Sequence, residues 1–564
     1  MSRRIVAAAA VLSLSVLAGA TAYAKKKKTV QVFQQQIPKQ DRIDQALNRL
    51  TFGPRPGDAE RVKAMGLKKW IDLQLHPSRI AENPVLTEKL KALDSLFMTS
   101  EELVVNFPEP RMLRDNRKGG LPVPVDPERT RILQKMAERF ELRQKLGGQA
   151  TPDAAQETAS LLTPEQLHSL RTGTPQQRLA AFEALPQETQ DDVLVALPRG
   201  VVQGLAANAP PELRRKIQLT AGPEQMVARD LAEGKLLRAI YSNRQLEEVL
   251  TDFWYNHFNV FIDKGADRYL VTAYERDAIR PHVLGKFRDL LEATAKSPAM
   301  LFYLDNWESV GSNPSPGRLA QRRGLNENYG RELLELHTLG VDGGYSQKDV
   351  TEVARCFTGW SINRPQLGGG FNFNAKAHDQ GEKLVLGQKI HAGGIEDGEK
   401  VLDLLAHHPS TARFISRKLA QRFVADDPPA TLVDRMAQTF LKTDGDLRAV
   451  MKTLFESKEF WSVGAYRSKM KSPLELVASA VRAGNGDVDY ARSLVDLVAQ
   501  MGEPLFRKLE PTGYSNSGKE WLNSAGLVAR MNFAVNLADN KVAGVKVETA
   551  ATGVALGSPE FQRH

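Results

Sequence analysis

Between Asn326 and Gly340 the chain sets Glu327, Arg331, Glu332, Glu335 and His337 within a dozen residues, its densest run of side chains able to move protons. On a helical wheel of about 100° per residue, Tyr329, Leu333, Leu334 and Leu336 share one arc with His337, and the charged residues take the other. Residues two apart face different ways on a helix, which argues against one metal ion shared by Glu335 and His337. Leu334 stands where a Glu-x-x-His di-iron helix needs its glutamate. Glu327, Arg331 and Glu335 fall at i, i+4 and i+8, the spacing of an ion-pair ribbon. If that strip were buried, one carboxyl would rise in pKa and suit general acid work.

A second histidine lies on a comparable face. The stripe Leu246, Val249, Leu250, Phe253, Trp254 continues onto His257. Each histidine alone reads as a satisfied core group. Converging beside a carboxylate, the two would suit metal binding or proton transfer.

Other features add to the list. Asp305 and Asn306 close the apolar run Met300 to Leu304, and a carboxylate at a helix C-terminus opposes the dipole and needs a partner. His378 and Asp379 adjoin in a glycine-rich stretch, and Pro511 to Asn516 reads as a turn suited to a rim. Cys356, the single cysteine, has no adjacent His or Cys to activate it and reads as a packed thiol. The candidate catalytic residues are therefore His257, Asp305, Glu327, Arg331 and His337, and the candidate binding residues Glu335, His378 and Asp379. No P-loop, dinucleotide glycine fingerprint, Gly-x-Ser-x-Gly elbow or His-Glu-x-x-His motif is placed where it would matter, so no cofactor or metal is named.

The elements that must position these groups are helices. Apolar residues recur at helical spacing, and alternating β-branched runs are few. The pattern predicts a mainly α protein: a large multi-helix body of packed αα-hairpins, with a helical insertion and a glycine-rich loop or small hairpin. Residues 41–97 carry the first helices, with two short ones expected around the turn Phe52 to Gly57 and Asp58 as a cap. Residues 98–223 shift toward Gln, Ala, Pro and Glu in short amphipathic pieces, read as a helical insertion or a partly disordered arm. Residues 224–564 form the main body, interrupted from Pro365 to Gly394. Gly340 predicts a helix stop, and Ser346 with Asp349 a capping box that starts the next helix. The phrases Leu454 to Phe460 and Ala555 to Phe561 echo each other, each a helix end, a serine cap and an aromatic anchor.

Residues 1–24 have the parts of a secretory signal peptide in order: Arg3 and Arg4, the apolar run Ile5 to Ala20, then Ala22-Tyr23-Ala24. A basic tail or linker, 25–40, follows. Export would place the chain in the periplasm or outside the cell, with no membrane span after cleavage. One cysteine permits no intrachain disulfide, so burial must supply stability; at 42% hydrophobic composition the chain can form a large core. The formal charge of +9 falls to +7 without Arg3 and Arg4 and to +3 without Lys25 to Lys28, which excludes a nucleic-acid role on charge grounds.

Several segments together resemble the bacterial domain-of-unknown-function family 1800. They are Leu50 to Gly57, Phe253 to Phe258, Phe302 to Asn306, Asn326 to Trp360, His378-Asp379 and Ser558 to Phe561. The resemblance implies an exported bacterial protein, often encoded near a second exported family related to sulfatases and phosphatases, which is the expected partner. It carries over no catalytic residue. Two readings follow: a periplasmic hydrolase or lyase acting on an envelope or extracellular polymer, or a non-catalytic helical scaffold binding a partner protein or polymer.

Overall fold

The helix Pro223–Tyr241 is buried on nearly every side, Asp230, Glu233 and Lys235 included, and ion pairs to Arg215 and Asp252 hold Asp230 and Lys235 there. The computed structural model describes residues 31–117, 122–145, 161–197, 199–206, 209–311, 324–548 and 553–564; the expected signal peptide and the start of the basic tail lie outside them. Against the Pro223–Tyr241 helix pack Pro84–Lys91, Gln245–His257, Asp267–Ala273, Pro473–Ala483 and Arg492–Gln500, among others, while Phe287–Ala295, Gln347–Cys356 and Pro409–Phe423 pack on Glu396–Ala406. The protein is mainly α. Its sheets, among the described residues, are antiparallel pairs of short strands.

The main core runs from Phe33 to Leu556 and so draws on both ends of the described chain. Residues 98–223 add two smaller cores. One joins Leu103, Phe107 and Ile132 to Met226 and Tyr269; the other gathers Leu162, Phe182, Val193, Leu205 and Ile217. The short helices here start on Thr capping boxes at Thr99, Thr163 and Thr174, each answered by Glu or Gln three residues on. Capping defines their ends, and the shared cores keep such short helices folded.

Local signals elsewhere act as expected. Ser346 and Asp349 form a reciprocal capping box, and Gly340 takes φ 82° after the preceding helix. Ser457 and Ser558 each accept the N–H of a phenylalanine three residues on, at 3.2 Å in both cases, so the echoed phrases share one turn. The Pro365 to Gly394 stretch contributes hairpins: Trp360–Ile362 pairs with Phe371–Phe373, and Lys383–Val385 with Gln388–Ile390.

Two local expectations are corrected. Three helices rather than two follow Asp41, namely Arg42–Leu50, Asp58–Met65 and Leu67–Gln74, because Gly66 at φ 91° splits the second segment. Asp58 is the first helical residue rather than the cap, and its Oδ2 accepts the Arg55 N–H at 2.7 Å. The Asn326 to Gly340 segment also departs from an even helical wheel. Asn328–Glu332 is α-helical, but Leu333–Thr338 is a π turn, with Leu339 N–H donating to Leu334 O and Thr338 Oγ1 to Leu333 O. The wider turn leaves Leu336 half-buried and takes Thr338 inward beside His337.

Candidate functional site

His257 and His337 stand side by side, ring centroids 6.3 Å apart. His257 Nε2–H donates to the His337 carbonyl at 3.0 Å, which fixes its tautomer. Trp254, Phe258, Tyr329 and Phe414 surround the pair. Burial, then the nearby Lys418 ammonium, pushes His337 down to about 3 and His257 well below its usual value, so both rings are neutral at physiological pH. No carboxylate is among the partners of either ring.

The other sequence candidates occupy different surroundings. Glu327 accepts from Gln347 Nε2 and Thr351 Oγ1, both at 2.7 Å, and lies 3.5 Å from Arg331. Glu335 meets Tyr345 OH at 3.4 Å instead of continuing the ribbon, because the π turn rotates it away from Arg331. Asp305 adopts φ 57° after its helix and pairs with Lys264 Nζ at 2.6 Å, the partner that its place against the helix dipole requires. His378 bonds Asp397 at 3.1 Å, with Lys383 Nζ 2.7 Å from the same oxygen; all three side chains are fully buried and tie a hairpin to the Glu396–Ala406 helix. Asp379 pairs with Arg355 at 2.9 Å. Cys356 is buried, which raises its thiol to about 12.

Ionisable side chains meet in a polar cleft that begins on the opposite face of the first histidine's helix. Asp252 and Asn256, four apart on Gln245–His257, point away from the core and line it. Lys235 Nζ donates to Asp252 Oδ1 at 3.0 Å and lies 3.4 Å from Glu275. Burial opposes the lysine's charge, but those two carboxylates outweigh it and raise its pKa. Asp252 is thus held ion-paired at the cleft wall.

Facing it is Glu503. Its Oε2 accepts the Leu474 N–H at 2.8 Å, in the first turn of Pro473–Ala483, where a helix N-terminus favours a negative carboxylate. Burial outweighs that help, and Asp252 adds like-charge repulsion, so the Glu503 carboxyl lies above the usual range. The cleft therefore holds two carboxyls in different environments, one ion-paired to a lysine and one buried with a raised pKa.

The remaining walls are charged and fixed. Ser472 and Glu475 form the capping box of Pro473–Ala483, and Glu475 also pairs closely with Arg422. Lys469 pairs closely with Asp426, while burial lowers it to about 8. Asp426 in turn accepts the Gly518 N–H at 3.0 Å, anchoring the loop that brings Tyr514, Ser515 and Asn516 to the rim. Tyr514 N–H donates to Asn256 Oδ1 at 3.1 Å. Gly513 is required here: at φ 67°, a Cβ would fall 1.9 Å from the Asn256 carbonyl oxygen. Space of about 30 Å³ in the depth of the cleft is room for about two waters.

These residues come from positions 252–256, 422, 469–475, 503 and 514–521, so no local motif joins them. The one local signal in the sequence is the Pro511 to Asn516 turn. Among the described residues no group of three or more His, Cys, Asp or Glu side chains is arranged to hold a metal ion.

Fold and site define a mainly α protein with a charged, narrow cleft at the junction of two helices and a clamped loop. The chain belongs to the family of proteins of unknown function DUF1800, whose model matches residues 45–563. No curated protein and no solved structure matches it.

Proposed function

We propose that this chain is an exported hydrolase or lyase acting on an envelope or extracellular polymer, and that its chemistry lies in the cleft between Asp252 and Glu503. The observation that carries this reading is the pairing of a buried carboxyl of raised pKa with a lysine-held carboxylate. Such a split in environment is how one site supplies an acid and a base at one pH. In hydrolysis, Glu503 gives its proton to the leaving oxygen or nitrogen while Asp252 orients and deprotonates a water in the cleft. Asp252 then releases the proton taken from water and Glu503 regains one, both through solvent, so the pair returns to its starting state. The narrow depth admits water, and the polymer lies across the rim at Tyr514 and Asn516. His257, on the helix that carries Asp252, and His337, in the π turn packed against it, stand behind this wall as neutral packing groups.

Export rests on the signal-peptide sequence, and no helix among the described residues is long and apolar enough to cross a membrane. The test is release of soluble fragments from a panel of cell-envelope polysaccharides and peptidoglycan. Glu503→Gln and Asp252→Asn should each lower it at least about a hundredfold while leaving the circular dichroism spectrum unchanged. Wild-type rates in both folded variants would refute the assignment.

A second reading, a helical scaffold, draws on Val528, Met531 and Val535, which are 59%, 59% and 50% exposed along one face of Ser524–Ala538. Its partner would be the second exported protein expected from the family resemblance. Polymer cleavage that survives Met531→Lys would leave the first reading in place.

A further inference from the structure

The cleft leaves unused the Thr51 to Asp58 turn, which builds one wall of a separate pocket of about 480 Å³. That is the size of a small-molecule site, and the lining has the usual mixture of an apolar floor and a few polar groups. Val62, Leu73 and the Trp70 ring supply the floor.

Three guanidinium groups, from Arg55, Arg61 and Arg482, line the pocket beside a single acid, Asp58. Asp58 Oδ1 pairs closely with Arg61, and its Oδ2 lies 3.4 Å from Arg482. One carboxylate therefore serves two cations and leaves the third unmatched. Arg482 spends its other donors on the carbonyls of Gly53 and Ile240, at 2.5 and 2.7 Å. Arg55 gives Nη2 to the Ile240 carbonyl at 2.6 Å, and its Nε is buried without a partner. Arg61 stands at the mouth with its side chain 67% exposed. Excess positive charge thus lies over an apolar floor.

We propose that this pocket binds an oxyanion, a carboxylate, sulfate or phosphate group carried on a ligand with an apolar face, gripped by Arg55 and Arg61 and seated on Val62 and Trp70. Guanidinium is the group best matched to such anions, since its fork donates two parallel hydrogen bonds. Burial, followed by the charge of Arg55, pushes Arg482 down to about 9, a penalty that a bound anion relieves. The carbonyl of Ile240, in the last turn of Pro223–Tyr241, already accounts for part of the positive charge through the helix dipole. A purely structural role would end there.

The pocket shares two helices with the cleft. Gln245 and Arg482 line the pocket, while Asp252 and Glu475, each seven residues along the same helices, line the cleft. Seven residues of helix rise about 10 Å. An anion seated here therefore lies one or two sugar lengths from the carboxyl pair, although the inference stands without any activity there.

The test is calorimetric titration of the full chain with 4-nitrophenyl sulfate, 4-nitrophenyl phosphate and benzoate, with 4-nitrophenol as the uncharged control. At least one anion should bind saturably, more weakly as sodium chloride is raised, and the strongest arm tells which oxyanion the site prefers. Arg55→Met and Arg61→Met should each weaken that binding about tenfold. No saturable binding of any anion, equal binding of 4-nitrophenol, or unchanged affinity in the variants would overturn the proposal. Should Arg55→Met fail to fold, surface-exposed Arg61→Met decides alone, because a structural role for the cluster predicts no change in affinity there.

Discussion

Replacing His337 by leucine should flatten the acid side of the protein's stability profile. The imidazole is buried with its Nε2 unpartnered, and its folded pKa of about 3 lies far below the value of about 6.5 for an unfolded histidine. A group depressed in this way is protonated first in the unfolded chain. Its contribution is fully present above pH ~6.5 and is lost as pH falls toward 3. At about 1.36 kcal/mol per pH unit, the loss by pH 5.0 is roughly 2 kcal/mol, and near pH 3 it would approach roughly 5 kcal/mol. Leucine has similar volume, does not titrate, and leaves intact the backbone carbonyl that accepts from His257. Urea unfolding followed by tryptophan fluorescence at pH 7.5 and 5.0 measures the change for each protein. Wild type should lose about 2 kcal/mol more than His337→Leu over that interval. Titrating groups away from this pair are common to both and cancel in the difference, and His257, which the His337 ring helps to lower, shifts the variant in the same direction. Parallel profiles, or a histidine resonance assigned to His337 that titrates near 6.5, would refute the picture of a neutral core pair.

Three further outcomes follow from the same structure. Gly513→Ala should destabilise the protein by about 2 kcal/mol or more, seen as a lower unfolding temperature, because it combines a strained φ with a clash at the Asn256 carbonyl. Lys383→Met should cost about 3–5 kcal/mol by leaving Asp397 without its buried cation, measurable by the same urea titration. Glu503→Gln should be more stable than wild type at pH 9. A carboxyl raised by burial stabilises fully below its unfolded pKa and loses that contribution as pH rises through the folded value, so the advantage of the amide should vanish near pH 5.

Local chemistry was legible in the sequence, and long-range assembly was not. The Ser346 capping box, the Gly340 stop and the glycine-rich hairpins were readable because each depends on residues a few positions apart. The inward faces of His257 and His337 followed from periodicity. Where the period itself changed, at the π turn Leu333–Thr338, the wheel misplaced Leu336 and the reach of Glu335. The cleft escaped notice for a different reason. Asp252 looks like a solvated helix residue and Glu503 like one acid beside a proline until Pro473–Ala483 and the 514–521 loop close over them. Burial and the facing Asp252 raise Glu503, and both are properties of the assembled chain.

The cleft assignment stands or falls on the pH dependence of polymer cleavage by wild type and Glu503→Gln between pH 5 and 9. Wild-type kcat/KM should fall on the alkaline side as Glu503 gives up its proton, and the amide variant should be slower by at least about a hundredfold with that alkaline limb gone. An unchanged rate and an unchanged alkaline limb in a folded Glu503→Gln protein would contradict the role given to this carboxyl.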